Sequence, residues 1–214
     1  MAGVEFDRSS KDFGRMVEMI QELTGDDPRL GKDKSGQRTN LSPWDIKPKT
    51  LLDHMARIAY HETGRTLDPS QKQILNSGKE GHGRGLFQYE REHGGVQQGA
   101  HTSMNRLTDW YDDRGWGKPN FLSKVGQDFD VSSLTPSQQY QLFLADKAQD
   151  KTARFSENMD LKQFWLDEHL ADPNAVQSGK DKIFEGNMSS FDKKFANQGF
   201  YKDTLLDQIV PQTP

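Results

Sequence analysis

Residues 55–64 read Met-Ala-Arg-Ile-Ala-Tyr-His-Glu-Thr-Gly and predict the end of an amphipathic helix, with Gly64 as the residue that stops it. Glu62 follows Met55 by seven positions and Ile58 by four, so it projects from the apolar stripe of that helix. Partial burial raises the pKa of a carboxyl group, and the negative potential at a helix C-terminus acts in the same direction. Glu62 is therefore a candidate general acid, because it would keep its proton near neutral pH.

A second interpretation of Glu62 is purely structural. An inward glutamate at a helix end often accepts hydrogen bonds from a neighbouring loop or pairs with an arginine, for which Arg65 and Arg84 are candidates. The helix pattern by itself leaves both interpretations open.

A glycine-rich segment follows this helix. Gly81, Gly83 and Gly85 alternate with other residues and lead into Leu-Phe-Gln at 86–88. Alternating glycines allow a backbone to approach a ligand or a helix closely. The segment lacks Gly-Lys-Ser/Thr, G-x-G-x-x-G and a preceding apolar strand, so it is not a phosphate-binding loop. A short hairpin or bend is predicted over residues 83–90.

The composition excludes several classes of protein. The 214 residues carry 28 basic and 32 acidic side chains, so there is no basic excess to predict nucleic-acid binding. The absence of cysteine excludes disulfides and thiolate metal sites. No apolar run approaches the roughly 20 residues of a membrane-spanning helix. No signal peptide is readable at the N-terminus, so a protein that acts on a cell wall would need another route of delivery.

Helix-start signals predict a mainly helical fold with little strand. Ser9 or Ser10 can cap a helix that ends at Thr24, and Thr50 can cap the helix that carries Glu62. Further helices are predicted over 103–114, after Thr135-Pro136-Ser137-Gln138, and after Asp160. The loop-like composition of residues 25–49 divides the chain into an N-terminal helix and polar arm (1–45), a main domain (46–198) and a C-terminal tail (199–214).

The pairing of Glu-Thr-Gly at 62–64 with Gly-Arg-Gly-Leu-Phe-Gln at 83–88 resembles lysozyme-like lytic transglycosylases and goose-type lysozymes. It also looks like the pairing in phage virion-associated tail lysozymes. The segment Leu-Thr-Pro-Ser-Gln-Gln-Tyr-Gln-Leu at 134–142 is similar to a helix that follows in that group. The resemblance covers about residues 50–170 and implies a lysozyme-like α+β fold, with the hairpin or glycine loop beside the catalytic helix.

Carried over residue by residue, the resemblance implies that Glu62 is the catalytic acid. Thr63 stands where the family often has a serine whose hydroxyl orients the acid. Gly85, Leu86 and Gln88 would line the cleft, with Gln88 bonded to the sugar or to its N-acetyl group. The chain departs from the family pattern at three positions, with Thr63 for serine, Phe for the commoner methionine at position 87, and tyrosine for the usual apolar residue at position 89.

The number of catalytic carboxylates separates two mechanisms. A two-carboxylate hydrolase needs a second acidic residue across the scissile bond. Glu80, at the start of the glycine segment, is the preferred candidate, and Asp68, Glu90 and Glu92 are the alternatives. A lytic transglycosylase needs only Glu62, which protonates the leaving oxygen and helps the muramyl 6-hydroxyl to close a 1,6-anhydro ring. Because no spacing singles out a partner for Glu62, transglycosylation is slightly favoured.

Aromatic residues near these motifs are candidates for stacking on sugar rings. Tyr89, Trp110 and Trp116 are predicted in this role, whereas Tyr111 has the helical spacing of a core residue. A metal site is not predicted, although His61, His82, His93 and His101 lie in or near these motifs. His61-Glu62 begins an H-E-x-x-H pattern, but Arg65 stands where the second histidine would be. No cofactor is expected.

The favoured hypothesis is cleavage of peptidoglycan glycan strands between N-acetylmuramic acid and N-acetylglucosamine. The resemblance implies a phage virion protein, located in the tail or inside the particle, that opens the host cell wall locally during genome entry. Its partners would then be glycan strands and other virion proteins. The alternatives are a non-catalytic structural virion protein built on a lysozyme-like scaffold, and a cytoplasmic endolysin released at lysis.

Overall fold

The computed structural model describes residues 4–25, 44–75, 77–90, 99–122, 130–149, 154–170 and 178–195. The fold is mainly α-helical with a small antiparallel sheet, as the sequence predicts. The helices are α1 (Lys11–Thr24), α2 (Pro48–Glu62), α3 (Gly99–Asp113), α4 (Pro136–Gln149), α5 (Leu161–Phe164) and α6 (Lys180–Phe195). The strands are β1 (Lys72–Ile74), β2 (Glu80–Arg84) and β3 (Tyr89–Glu90), in the order β1-β2-β3. Short 3₁₀ turns cover Asn120–Leu122 and Val131–Ser133.

Three of the predicted helix starts are confirmed by their caps. Ser10 Oγ accepts a hydrogen bond from the backbone N–H of Phe13 at 3.1 Å. Before α4, the backbone N–H of Thr135 donates to Gln138 Oε1 at 3.0 Å, and the N–H of Gln138 donates to Thr135 Oγ1 at 3.4 Å. Asp160 caps α5 by accepting from the N–H of Gln163 at 3.1 Å. Such bonds use the free N–H groups of a first helical turn, so these starts are set by local sequence.

The predicted start of α2 is wrong by a few residues. The helix begins at Pro48 rather than at Leu51, and Thr50 lies inside it. Glu157 replaces the local cap, because its carboxylate accepts from the backbone N–H of Lys47 at 2.9 Å and from the hydroxyl of Thr50 at 2.8 Å. A carboxylate at a helix N-terminus is stabilised by the helix dipole. This cap comes from a residue 110 positions from Lys47, so no local pattern could predict it.

The N-terminal helix shares one hydrophobic core with the remaining described helices. Phe13, Met16 and Ile20 of α1 are buried together with side chains of α2, α3 and α4. The predicted boundary near residue 45 therefore does not separate two packed units within the described part of the chain. Residues 26–43 of the predicted arm, and the whole predicted tail (199–214), lie outside the described residues.

The predicted hairpin is present and is fixed to α4. Strands β2 and β3 are antiparallel, with Arg84 paired to Tyr89. Gly85 has φ +74°, a conformation that favours glycine, and a Cβ atom there would lie 2.4 Å from Gln139 Oε1. That oxygen accepts the backbone N–H of Leu86 at 2.7 Å, and Gln139 Nε2 donates to the carbonyl oxygens of Pro69 and Leu134 at 2.9 Å. The buried amide of Gln139 thus holds the glycine turn against the helical core.

A π-helical segment (Trp165–Leu170) continues directly from α5. Such segments are rare and occur frequently at functional sites. Trp165 and Leu166 of the segment are buried in the core. Among the described residues, no helix has the length and apolar character needed to cross a membrane.

Candidate active site

A cavity of about 490 Å³ lies beside the C-terminal end of α2. The hairpin, the first turns of α3, the end of α4 and the π-helical segment form its walls. The residues that line it are Glu62, Gln73, Gly83, Phe87, Gln88, Tyr89, Glu90, Thr102, Ser103, Asp146, Lys147 and His169. Volumes of 300–1,000 Å³ are typical of pockets that bind small molecules.

Glu62 lies in the wall of this cavity, and its side chain is 15% exposed. The indole N–H of Trp165 donates to Glu62 Oε1 at 2.5 Å. His169 Nε2 lies 3.6 Å from the same oxygen. Neither predicted arginine pairs with Glu62, because Arg65 donates to Asn187 and Arg84 pairs with Glu80 and Asp130.

Burial raises the pKa of Glu62 to about 7. The hydrogen bond from Trp165 and the positive charge of Lys180 act against this rise, because both stabilise the carboxylate. Near neutral pH the group therefore exchanges readily between acid and carboxylate, which suits a catalyst that both donates and accepts a proton. Since Oε1 accepts the indole N–H, Oε2 is the oxygen that can carry the proton.

Two partly buried histidines beside Glu62 are neutral near pH 7. Burial lowers the pKa of His169 to about 3, with the positive charge of Lys147 acting in the same direction and a hydrogen bond to the backbone of Phe87 opposing it. Burial also lowers the pKa of His61 to about 4. His61 packs edge-to-face against Trp165, with ring centroids 4.4 Å apart. The rings that contact Glu62 are thus uncharged near pH 7, and burial outweighs the opposing effects of Trp165 and Lys180 on its pKa.

Two of the predicted binding residues lie on the same cavity wall as Glu62. Gln88 has φ +48°, and its side-chain Nε2 donates to the carbonyl oxygen of Gly85 at 2.7 Å. A Cβ atom on Gly83 would lie 2.9 Å from Gln88 Oε1, so only glycine leaves room for this arrangement. The hydroxyl of Tyr89 lies 3.4 Å from Asp146 Oδ2. Contact of Gln88 and Tyr89 with a sugar stays a prediction.

Three other predicted binding residues are not on the cavity wall. The hydroxyl of Thr63 donates to the carbonyl oxygen of Ala59 at 2.7 Å and accepts from the N–H of Leu67 at 2.8 Å. These bonds close the end of α2 and leave the hydroxyl no role in orienting Glu62. Leu86 is fully buried in the core, and Gly85 packs against Gln139. All three residues shape the elements behind the cavity.

Glu80 is not the second carboxylate of this cavity. Its side chain is 42% exposed and pairs with Arg84, and with Lys72 at 3.4 Å. Glu90, one of the alternatives, does lie on the wall with Glu62. The Asp68 carboxylate accepts from the N–H and the hydroxyl of Ser70, and residue 92 lies outside the described residues. The register of β2 against β3, which sequence spacing does not reveal, places Glu90 rather than Glu80 beside the cavity.

The prediction that Trp110 stacks on a sugar is wrong. Trp110 is 1% exposed, does not line the cavity, and has the guanidinium carbon of Arg114 3.7 Å from its ring centroid. Trp116 is partly buried, and the guanidinium carbon of Arg15 lies 4.0 Å from its ring centroid. Tyr111 is a core residue, as predicted. Within the described part of the chain, no group of three or more His, Asp or Glu side chains could hold a metal ion.

The side chains nearest to the Glu62 carboxyl were not predicted from the sequence. Trp165 and His169 reach it from a segment more than 100 positions away along the chain. Their spacing of four residues puts both on one helix face, which is the one local signal that could have paired them. Nothing in the sequence indicates that this face packs against Glu62.

Comparison of the chain with protein-family models, with curated proteins and with solved structures finds no match.

Replacing Trp165 with phenylalanine is expected to raise the pKa of Glu62 further. The indole N–H, which phenylalanine lacks, stabilises the Glu62 carboxylate. Loss of a hydrogen bond to a charged group corresponds to a rise of about 1–2 pKa units. Carbon-13 NMR of labelled glutamate carboxyl groups measures the titration directly. Phe184→Leu is the matched control, because the Phe184 ring stacks on Trp165 at 5.0 Å without contributing that hydrogen bond. A Glu62 pKa that falls or stays constant in Trp165→Phe would contradict the prediction.

Proposed function

We propose that this protein cleaves the glycan strands of peptidoglycan, with Glu62 as the general acid. The observation that carries the proposal is the Glu62 carboxyl, which has a pKa raised to about 7 and lies in the wall of a cavity of about 490 Å³. Catalytic acids of glycosidases have raised pKa values for the same reason, burial in an apolar site. The resemblance of residues 62–64 and 83–88 to lytic transglycosylases and goose-type lysozymes supports peptidoglycan as the substrate.

In the proposed reaction, Glu62 donates its proton from Oε2 to the glycosidic oxygen as the bond from that oxygen to C1 breaks. The leaving sugar departs as an alcohol, and the remaining sugar has oxocarbenium character. Trp165 then stabilises the new carboxylate through its bond to Oε1. The carboxylate takes a proton from the muramyl 6-hydroxyl, whose oxygen closes a 1,6-anhydro ring on C1, or from a water molecule that attacks C1. Either route restores the acid form of Glu62.

The choice between transglycosylation and hydrolysis depends on whether Glu90 acts as a second catalytic carboxylate. Transglycosylation needs only Glu62, and we propose it as the reaction. A retaining hydrolase would need a second carboxylate as a nucleophile on the opposite side of the sugar. Of the candidates for that carboxylate that lie in the described part of the chain, Glu90 is the one that lines the cavity with Glu62. Mass spectrometry of the products separates the two, because transglycosylation leaves 1,6-anhydromuramyl ends and hydrolysis leaves reducing ends.

The test uses the purified full chain on isolated murein sacculi, with release of soluble fragments as the readout. We expect cleavage by the unmodified protein, 1,6-anhydro ends in the products, and loss of activity in Glu62→Gln. Glu80→Gln is the control, because its side chain lies outside the cavity and should leave the rate within a factor of about two. Absence of cleavage by the unmodified protein would favour a non-catalytic scaffold, and equal activity in Glu62→Gln would refute the role of Glu62.

The resemblance to tail lysozymes also supports a proposal about where the enzyme acts. We propose that it is carried in a phage particle and opens the host wall during genome entry. Proteomic analysis of purified particles tests this, since detection only in lysed cells and not in particles would favour the endolysin alternative.

A further inference from the structure

The buried side-chain amide of Asn187 joins α6 to the end of α2, behind the candidate active site. Asn187 is 6% exposed and lies on α6. Its Oδ1 accepts a hydrogen bond from Arg65 Nε at 2.7 Å, and its Nδ2 lies 3.0 Å from His61 Nδ1. Neither Asn187 nor His61 lines the cavity. Both ends of the buried amide are thus bonded to side chains at the end of α2.

The contact with Arg65 determines which tautomer of His61 fits beside Asn187. An arginine Nε–H can only donate, so the amide atom that faces it is the carbonyl oxygen of Asn187. The amide group that faces His61 is then the NH₂ group, which donates. His61 Nδ1 accepts that hydrogen bond, so the proton of the neutral ring lies on Nε2. Any form of the ring with a proton on Nδ1 would bring two N–H groups together.

The anchored His61 ring is one of two rings that hold Trp165. The centroids of His61 and Trp165 lie 4.4 Å apart with an angle of 68° between the rings. Phe184 stacks on Trp165 at 5.0 Å and 25°, and its centroid also lies 4.9 Å from that of His61. Trp165 is 3% exposed, and its indole N–H donates to Glu62. Because buried rings pack closely, the positions of His61 and Phe184 set the direction of this N–H.

We propose that Asn187 is a positioning residue for Glu62. With Arg65 it fixes the tautomer and the ring orientation of His61, and the fixed ring holds the Trp165 indole against the acid. The inference rests on the proposed function for the role of Glu62, and it adds the contacts that keep the hydrogen-bond donor of Glu62 in place. Catalytic groups need such support, because they must be held within about 0.5 Å of the productive geometry.

Nitrogen-15 NMR of the histidine rings in the full chain at pH 7 tests the first step. We expect the unmodified protein to carry the His61 proton on Nε2, with Nδ1 unprotonated. In Asn187→Asp, a carboxylate replaces the amide and can only accept, so His61 should carry a proton on Nδ1. A proton on Nδ1 in the unmodified protein, or the same tautomer in Asn187→Asp, would overturn the inference.

Asn187→Leu tests whether the anchor acts on Glu62. Leucine has a similar size but cannot bond to His61, so the hydrogen bond from Trp165 to Glu62 should lengthen. We expect the indole N–H resonance of Trp165 to move upfield. We also expect kcat on soluble murein glycan strands to fall about 10-fold at an unchanged KM, since small misplacements near a catalytic group slow the reaction while Asn187 lies outside the cavity.

Ser190→Ala is the matched control on the same helix. Ser190 Oγ lies 3.1 Å from the hydroxyl of Tyr60, so it also joins α6 to α2, but through Tyr60 rather than His61. Its kcat should stay within a factor of about two of the unmodified protein. An equal fall of kcat in Asn187→Leu and Ser190→Ala would show that only the packing of α6 matters, and would overturn the inference.

These readouts separate the inference from the proposed function. Absence of murein cleavage by the unmodified protein would refute the proposed function, whereas the inferred contacts would stand if the His61 tautomer and the Trp165 resonance respond as expected. Cleavage of murein with an unchanged Trp165 resonance and an unchanged kcat in Asn187→Leu would overturn the inference and leave the proposed function standing. Asn187→Asp, which has nearly the shape of asparagine, keeps the inference testable if Asn187→Leu does not fold.

Discussion

Glu62→Gln is expected to lower the rate of the proposed murein cleavage by about 10²–10⁴-fold and to stabilise the fold above pH 7. Glutamine keeps the oxygen that accepts the Trp165 N–H, so the side chain can hold its place. It has no proton to donate near neutral pH and cannot serve as the acid. A loss of function combined with a gain of stability is the mark of a group held in an unfavourable environment for catalysis.

The gain in stability should depend on pH. Folding raises the pKa of Glu62 from 4.5 to about 7, so between these values the folded chain binds more protons than the unfolded chain. Stability then falls as pH rises, and above pH 7 the buried carboxylate costs about 3 kcal/mol. Glutamine does not ionise and so avoids this destabilisation. The unmodified protein and Glu62→Gln should therefore have equal free energies of unfolding below pH 4.5 and should differ by up to about 3 kcal/mol at pH 8.

Urea unfolding at pH 4.5, 6 and 8 measures this difference. Protonation of His61 and His169 destabilises the folded chain in acid, because burial lowers both of their pKa values. That effect is common to both proteins and cancels in the comparison. Glu157→Gln is a control whose effect on stability should change with pH in the opposite direction. Hydrogen bonds from Lys47 and Thr50 lower the pKa of Glu157, so its carboxylate stabilises the folded chain. A difference for Glu62→Gln that is the same at every pH would contradict the assignment of a raised pKa.

Arg114→Met is expected to destabilise the fold by about 3–5 kcal/mol. Arg114 forms a two-pronged ion pair with Glu22, with Nε 2.6 Å from Oε2, and the two side chains are 3% and 4% exposed. The pair joins the turn after α3 to α1, and the guanidinium also lies over the ring of Trp110. Removing Arg114 leaves the Glu22 carboxylate buried without this partner, which accounts for most of the cost.

A double-mutant cycle separates the ion pair from simple packing. Arg114→Met combined with Glu22→Gln should be less destabilised than the sum of the single variants, because neither buried charge remains. Glu18→Gln is the matched control in the same helix. Glu18 pairs with Arg15 at 2.8 Å but is 37% exposed, so its loss should cost less than about 1 kcal/mol in urea unfolding. Additive effects in the cycle would show that the pair contributes no coupling.

Local sequence determined the parts of this protein that depend on neighbours along the chain. Ser10, Thr135 and Asp160 cap helices because their side chains reach N–H groups three positions away. The phase of α2 placed Glu62 on the apolar side, since helical periodicity is a property of consecutive residues. Alternating glycines gave room for the hairpin over residues 83–90.

Tertiary packing decided how Glu62 is surrounded and which residues share its cavity. Trp165, His169 and Lys147 meet there because the π-helical segment and the end of α4 pack beside α2, and no local pattern encodes such contacts. Sheet register, rather than spacing, selected Glu90 instead of Glu80. A sequence pattern can therefore identify a carboxyl on an apolar face, but its proton affinity is set by groups that only the folded chain brings within a few ångströms.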